Sequence, residues 1–150
     1  MQFSFHRFSQ NHSKRRGFTL LELLAVLTIL AIVIAVTAPA INSRIQKGKT
    51  NAAKVQINAI SQSLNAFNLE CGFFPSTEQG LDALISAPTV GRTCKTYDPA
   101  GYWEKKELPR DPWNSPYNYG APGTHNNPYD LSSNGPDGVA GNEDDIKSWE

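Results

Sequence analysis

From Leu23 to Ile41 the chain carries no charged residue. A helix over this run, rising about 1.5 Å per residue, spans roughly the 30 Å hydrocarbon core of a bilayer. Lys14, Arg15 and Arg16 stand just before it. Positive flanks stay on the cytoplasmic side, so the expected topology has the N-terminus in the cytoplasm and everything after Arg44 outside. Three readings compete for the run: a cleaved secretory signal, a permanent anchor, or a leader whose apolar part survives processing. A secretory signal is shorter and ends at a small-residue cleavage site, whereas this run continues into further helix-like sequence, so removal behind it is not expected.

Charge is segregated along the chain. Fourteen basic and fourteen acidic groups balance overall, but Arg7, Lys14, Arg15 and Arg16 all precede Gly17 with no acid among them, so the remainder carries a net charge of −4. A mildly acidic domain argues against nucleic acid as a partner. Cys71 and Cys94 are the two cysteines. Beyond a membrane, in an oxidising compartment, they read most simply as one disulfide worth about 3 kcal/mol; two separate buried thiols are the alternative.

Glu22 is the one acid near the start of the apolar helix. Left unpaired at the bilayer centre it would cost about 2.5–3.5 kcal/mol. Either it snorkels to the headgroups, or its partner comes from another chain or from a new amino terminus, which a cut between Gly17 and Phe18 would create.

The junction Arg15-Arg16-Gly17-Phe18-Thr19-Leu20-Leu21-Glu22 resembles the leader junction of type IV pilins and type II secretion pseudopilins. The resemblance implies that a prepilin peptidase removes residues 1–17 and methylates the amine of Phe18, and that Glu22 of one subunit neutralises the amine of its neighbour during assembly. Pro39 sits where such helices often carry a proline, and should kink or locally melt the helix.

Beyond the membrane the stripe Ala53, Ile57, Ile60, Leu64 and Phe67 has helical spacing, so the helix should continue to about Glu70, on the order of 80 Å in all. Lys47, Lys49, Lys54, Gln56 and Asn58 are read as its solvated face. Gly72 and Pro75 stop it. Ser76 to Gln79 fits a capping box opening one short helix over Leu81, Ala83, Leu84 and Ile85. Short strands are expected at Tyr117–Tyr119, Tyr129–Ser132 and Ile146–Trp149, with the neighbouring aromatics as core beneath a small sheet. The fold class is α+β: a long N-terminal membrane-spanning helix packed on a small antiparallel sheet. Its organisation is a leader at 1–17, an anchor and assembly helix at 18–41, and an exported domain at 42–150.

Phe73 to Leu84 and Leu108 to Tyr117 resemble two segments of the pseudopilin branch of the pilin superfamily, in the same order. A long leader and the cysteine pair depart from that pattern. The resemblance implies an inner-membrane protein with its C-terminal domain in the periplasm. Such a protein polymerises with itself and with minor pseudopilins on an inner-membrane secretion platform, to drive folded proteins across the outer membrane.

From Asp130 onward the tail holds Asp130, Asp137, Glu143, Asp144, Asp145 and Glu150 against Lys147, interleaved with Gly135, Gly138 and Gly141. Crowded carboxylates either stay solvated or converge on a hard cation, and composition alone leaves both open. Asp130 to Gly135 opens like an EF-hand loop but fails at Gly141, where a bidentate acid is required. The pseudopilin resemblance implies a structural calcium loop, with side-chain oxygens from Asp137, Asp144 and Asp145 and backbone oxygens from Asn134 and Val139.

Behind the leader His125 is the one histidine, in a Gly/Asn/Pro loop read as solvent-exposed, and there is no Cys-x-x-Cys and no Gly-rich phosphate loop. Nothing here suggests an enzyme. A structural polymer subunit is the leading reading. A type IV pilin for adhesion, motility or DNA uptake and a membrane-anchored calcium-binding module are the alternatives.

Overall fold

The computed structural model describes residues 17–125 and 128–150, with the side chains at 38–40 left aside. The expected leader thus lies outside the described residues, except for Gly17. Contacts divide the chain into two units between Ile41 and Asn42.

The first unit holds the start of helix α1, Leu20–Cys71. Thr19 caps it: its hydroxyl accepts the Glu22 N–H at 3.2 Å, half of a capping box that the Thr-x-x-Glu spelling announces. Thr28 and Thr37 turn their hydroxyls back onto helical carbonyls at 2.8 and 2.9 Å, so neither presents an unpaired donor outward. The backbone is helical through Pro39, so of the kink or local melting expected there, the melting does not occur. One proline removes one ladder hydrogen bond, and the turns on either side hold the rest.

The second unit is built on the remainder of α1. Ala53, Ile60, Leu64 and Phe67 are fully buried and Ile57 nearly so, as the stripe predicts. Phe73, Tyr97 and Tyr102 pack edge-on around Phe67, with ring centroids at 5.5, 6.2 and 5.3 Å. The disulfide Cys71–Cys94 is formed, closing 23 residues onto the last turn of α1. Thr96 reinforces it by donating to the Glu70 carbonyl at 2.6 Å, and Tyr102 donates to the Glu70 carboxylate at 2.7 Å.

Ser76 and Gln79 exchange the two reciprocal bonds of a capping box, at 3.0 and 3.3 Å. They close a turn rather than opening an α-helix. Gly80 follows at φ 61°, ψ −169°, which breaks the helical path, and only a four-residue 3-10 helix forms at Leu81–Leu84. The Gln79 amide instead donates to the carbonyls of Val90 and Arg92 at 2.7 and 2.8 Å, pinning the next loop.

Strands β1 (Asn118–Gly120), β2 (Asp130–Ser133) and β3 (Ile146–Lys147) form an antiparallel sheet in that order. Tyr119 pairs with Leu131 and Ser133 with Ile146. Leu131 and Ser133 point inward and are fully buried, the alternation expected of a half-covered strand. β1 and β2 lie within a residue of their expected positions, whereas β3 ends at Lys147. The aromatics lie against the core as expected.

On the expected solvated face of α1, Lys47, Lys54 and Asn58 are exposed, but Lys49 and Gln56 need correction. Lys49 lies 6.0 Å over the Trp113 ring, Gln46 accepts the Trp113 indole N–H at 3.1 Å, and Gln56 accepts the Tyr117 hydroxyl. Burial and then the Asp111 charge push the Tyr117 hydroxyl far above the usual phenol range, so it stays a donor. Spacing alone cannot separate a helix flank that meets water from one that meets the 111–117 segment.

Candidate functional site

Two places in the chain concentrate the candidate residues, one in each unit. At the N-terminal junction Gly17 is exposed, and a Cβ built there meets nothing within 4 Å. Its packing therefore does not demand glycine. Phe18 is 82% exposed. Glu22 stands exposed in the first turn of α1, where an acid also suits the helix dipole, and among the described residues no cation pairs with it. Leu20, Leu21, Leu24, Leu27, Ile32 and Val36 are all more than half exposed. The most apolar 18-residue window of α1 has a mean hydropathy of 2.7 and buries nothing within the chain. Apolar surface of this extent marks a membrane or interaction surface.

The second place is the loop from Asn134 to Asp145 between β2 and β3. The pairing of Ser133 with Ile146 closes its base. Gly135, at φ +65°, lies so close to Asp144 that a Cβ would sit 2.3 Å from the Asp144 carbonyl oxygen, so only glycine lets the two limbs meet. Within the loop Asp137 accepts the Val139 N–H at 2.8 Å and the Asn142 amide at 2.7 Å. Asp145 accepts the Gly141 N–H at 2.7 Å through one oxygen.

Of the five candidate ligands, the structure gathers all into this one loop. No three acidic, histidine or cysteine side chains converge as a ready metal cluster among the described residues. The other Asp145 oxygen, Oδ1, and the Asn142 Oδ1 are buried without any hydrogen-bond donor. Buried orphaned oxygens are costly, and hard oxygen donors beside glycine-rich carbonyls are the chemistry calcium accepts. The oxygens of this loop are of the kind that suits the ion, and the Asn142 side-chain oxygen, which no sequence pattern singles out, is one of them. Beside the loop Lys147 is held by Glu150 at 2.8 Å, and its pKa is raised by that hydrogen bond and, more weakly, by the Asp145 charge.

Asp111 and Ser133 are both buried; Asp111 lies in the Leu108–Tyr117 segment, but nothing in the sequence singles out either side chain. A buried carboxylate in a Pro/Trp-rich segment becomes legible only once its donors are known. His125 is exposed, as expected, and it also stacks its ring on Trp149 at 4.1 Å with its Nδ1 3.0 Å from Asp130.

Residues 40–149 match the family model for Type II secretion system (T2SS), protein G, and residues 12–38 match the prokaryotic N-terminal methylation motif. The chain is similar to the type II secretion system core protein G of Pseudomonas aeruginosa, 42% identical over 140 residues, covering 91% of this chain and 96% of that protein. It is also similar to the core protein G of Escherichia coli K12, 39% identical over 136 residues, covering 91% and 92%. Among solved structures it resembles the crystal structure of the major pseudopilin from the type 2 secretion system of enterohaemorrhagic Escherichia coli. The TM-score is 0.66 at 36% identity, over 71% of this chain and 87% of that one. The methylation motif falls on the exposed apolar helix and the family match on the unit that carries the acidic loop, and the chain belongs to the type II secretion system protein G family.

Proposed function

We propose that the chain is the precursor of a major pseudopilin, a structural subunit that polymerises into the pseudopilus and drives folded proteins across the outer membrane. The observation that carries this reading is the apolar, wholly unburied start of α1 joined, in one helix, to the core helix of the second unit. A membrane holds such a helix before assembly, and neighbouring copies cover it afterwards.

A prepilin peptidase cuts after Gly17 and methylates the Phe18 amine. The basic residues before the cut remain cytoplasmic and the unit from Asn42 onward is periplasmic. Glu22 then neutralises the amine of an adjacent copy, which removes the cost of two unpaired charges in an apolar bundle. Minor pseudopilins and an inner-membrane platform complete the assembly.

Calcium is a structural ion in this reading. Asp137, Asn142, Asp144 and Asp145, with the carbonyls of Asn134 and Val139, would hold it, and it supplies the positive charge that lets the acids share one loop. Intact-mass measurement of protein isolated from its own membranes tests the proposal. The expected species begins at Phe18 and carries one added methyl group, whereas a species retaining residues 1–17 would overturn the prepilin reading.

A further inference from the structure

We propose that Asp111 is a positioning residue for the calcium loop, acting through Ser133 on Gly135. The inference rests on the calcium reading above, but its observations are independent of the loop's own acids.

Asp111 is 3% exposed, and a buried carboxylate is tolerated only when donors surround it. Its Oδ1 accepts the N–H groups of Trp113 at 3.0 Å and Ser115 at 2.7 Å, which closes the local turn. That turn needs one oxygen and no burial. The second oxygen instead reaches across to β2 and accepts the Ser133 hydroxyl at 2.6 Å. With its proton committed to Asp111, the Ser133 oxygen is left to accept the Gly135 N–H at 3.2 Å. Gly135 is the residue whose Cα lies against the Asp144 carbonyl. The relay runs from a buried charge, through a fully buried hydroxyl, to the point where the two limbs of the loop touch.

A second contact from the same segment lies beside it: the Asn118 amide donates to the Asn134 side-chain oxygen. Inside the loop the Asn134 amide also donates to the Gly138 carbonyl at 3.3 Å, so residues 111–118 and the loop together place Asn134, and the relay reaches Asp144 through Gly135. A charge-assisted hydrogen bond holds its partner more firmly than a neutral one, so the relay preorganises the loop before the ion arrives.

Titrating calcium into the full-length chain in detergent, after stripping with chelator, tests this. Ser133→Ala removes one hydroxyl and cuts the relay while leaving the 111–115 turn intact. Asp111→Asn keeps Oδ1 as an acceptor and loses the second oxygen. For either variant the calcium dissociation constant should rise about tenfold, the effect of losing one such bond. The Gly135 amide should lose its protection from hydrogen exchange without calcium. A purely structural role would lower the melting temperature equally with calcium and with chelator, so the calcium-induced increment separates the two roles. Wild-type calcium affinity in both variants would overturn the positioning role and leave the calcium reading standing. An unmutated chain that takes up no calcium would overturn both.

Discussion

The two stretches of α1 on either side of Ile41 obey different rules. From Leu20 to Ile41 large apolar side chains are exposed around the helix, and its most apolar stretch buries nothing among the described residues. From Asn42 to Cys71 a single stripe, Ala53 to Phe67, is buried, while a flank of the same helix receives Trp113 and Tyr117. The first stretch is completed by its surroundings and the second by its own chain. Substitutions in the first should therefore alter insertion and assembly with little effect on folding, and substitutions in the second should do the reverse.

The largest expected effect is on the buried stripe. Phe67 is fully buried at the centre of the aromatic cluster, so Phe67→Ala should destabilise the second unit by about 3–5 kcal/mol. Leu30→Ala, which empties no cavity in this chain, should leave its melting unchanged. Thermal melting of the full chain in detergent compares the two, and equal losses would abolish the distinction.

Reducing Cys71–Cys94 comes next. For a closed loop of 23 residues the loss is about 3 kcal/mol, read as a lower melting temperature in reductant with no change in membrane extraction. Calcium should follow: at a hundredfold excess over its dissociation constant it stabilises the native state by about 2.7 kcal/mol. Asp137→Ala should remove most of that increment. Coincident melting with calcium and with chelator would show a solvated acidic loop.

Asp130 should give a smaller effect, and one that depends on pH. Burial is the largest influence on its carboxyl and acts to raise its pKa. The Thr124 N–H and hydroxyl, both at 2.7 Å, and His125 together outweigh it and hold the group at about 2 against an ordinary 3.8. A folded pKa below the unfolded one means stability that is present above about pH 4 and lost as pH falls towards 2. Asp130→Asn should therefore melt slightly below the unmutated chain at neutral pH, with the gap closing between about pH 4 and pH 2. A gap that persists at pH 2 would assign the loss to packing.

The smallest effect on folding should come from Glu22→Ala, within about 0.5 kcal/mol for an exposed position. Filament assembly and secretion should nevertheless fail with normal processing. Filaments of wild-type yield would remove Glu22 from assembly.

Much of this fold was legible because it is written in local periodicities. The stripe from Ala53 to Phe67, the stop at Gly72 and the three short strands are patterns of neighbours along the chain. The short helix after the capping box is where its apolar residues place it, at Leu81–Leu84, but it is a single 3-10 turn because Gly80 takes a backbone conformation that no spacing rule registers. Lys49 and Gln56 read as solvated because their partners, Trp113 and Tyr117, lie far away in sequence.

By itself the sequence determined the apolar helix, its basic flank, the acid at Glu22 and the clustering of carboxylates in the tail. Hydropathy and charge are properties of composition over a short window, and they act wherever the chain goes. Tertiary structure alone decided that Asp111 reaches Ser133, that Gly135 meets the Asp144 carbonyl, and that the oxygens of Asn142 and Asp145 are buried without donors. Each of these is a pairing of one polar group with one distant partner. Its strength depends on a few tenths of an ångström and on exclusion of water, neither of which leaves a trace in the spacing of residues along the chain.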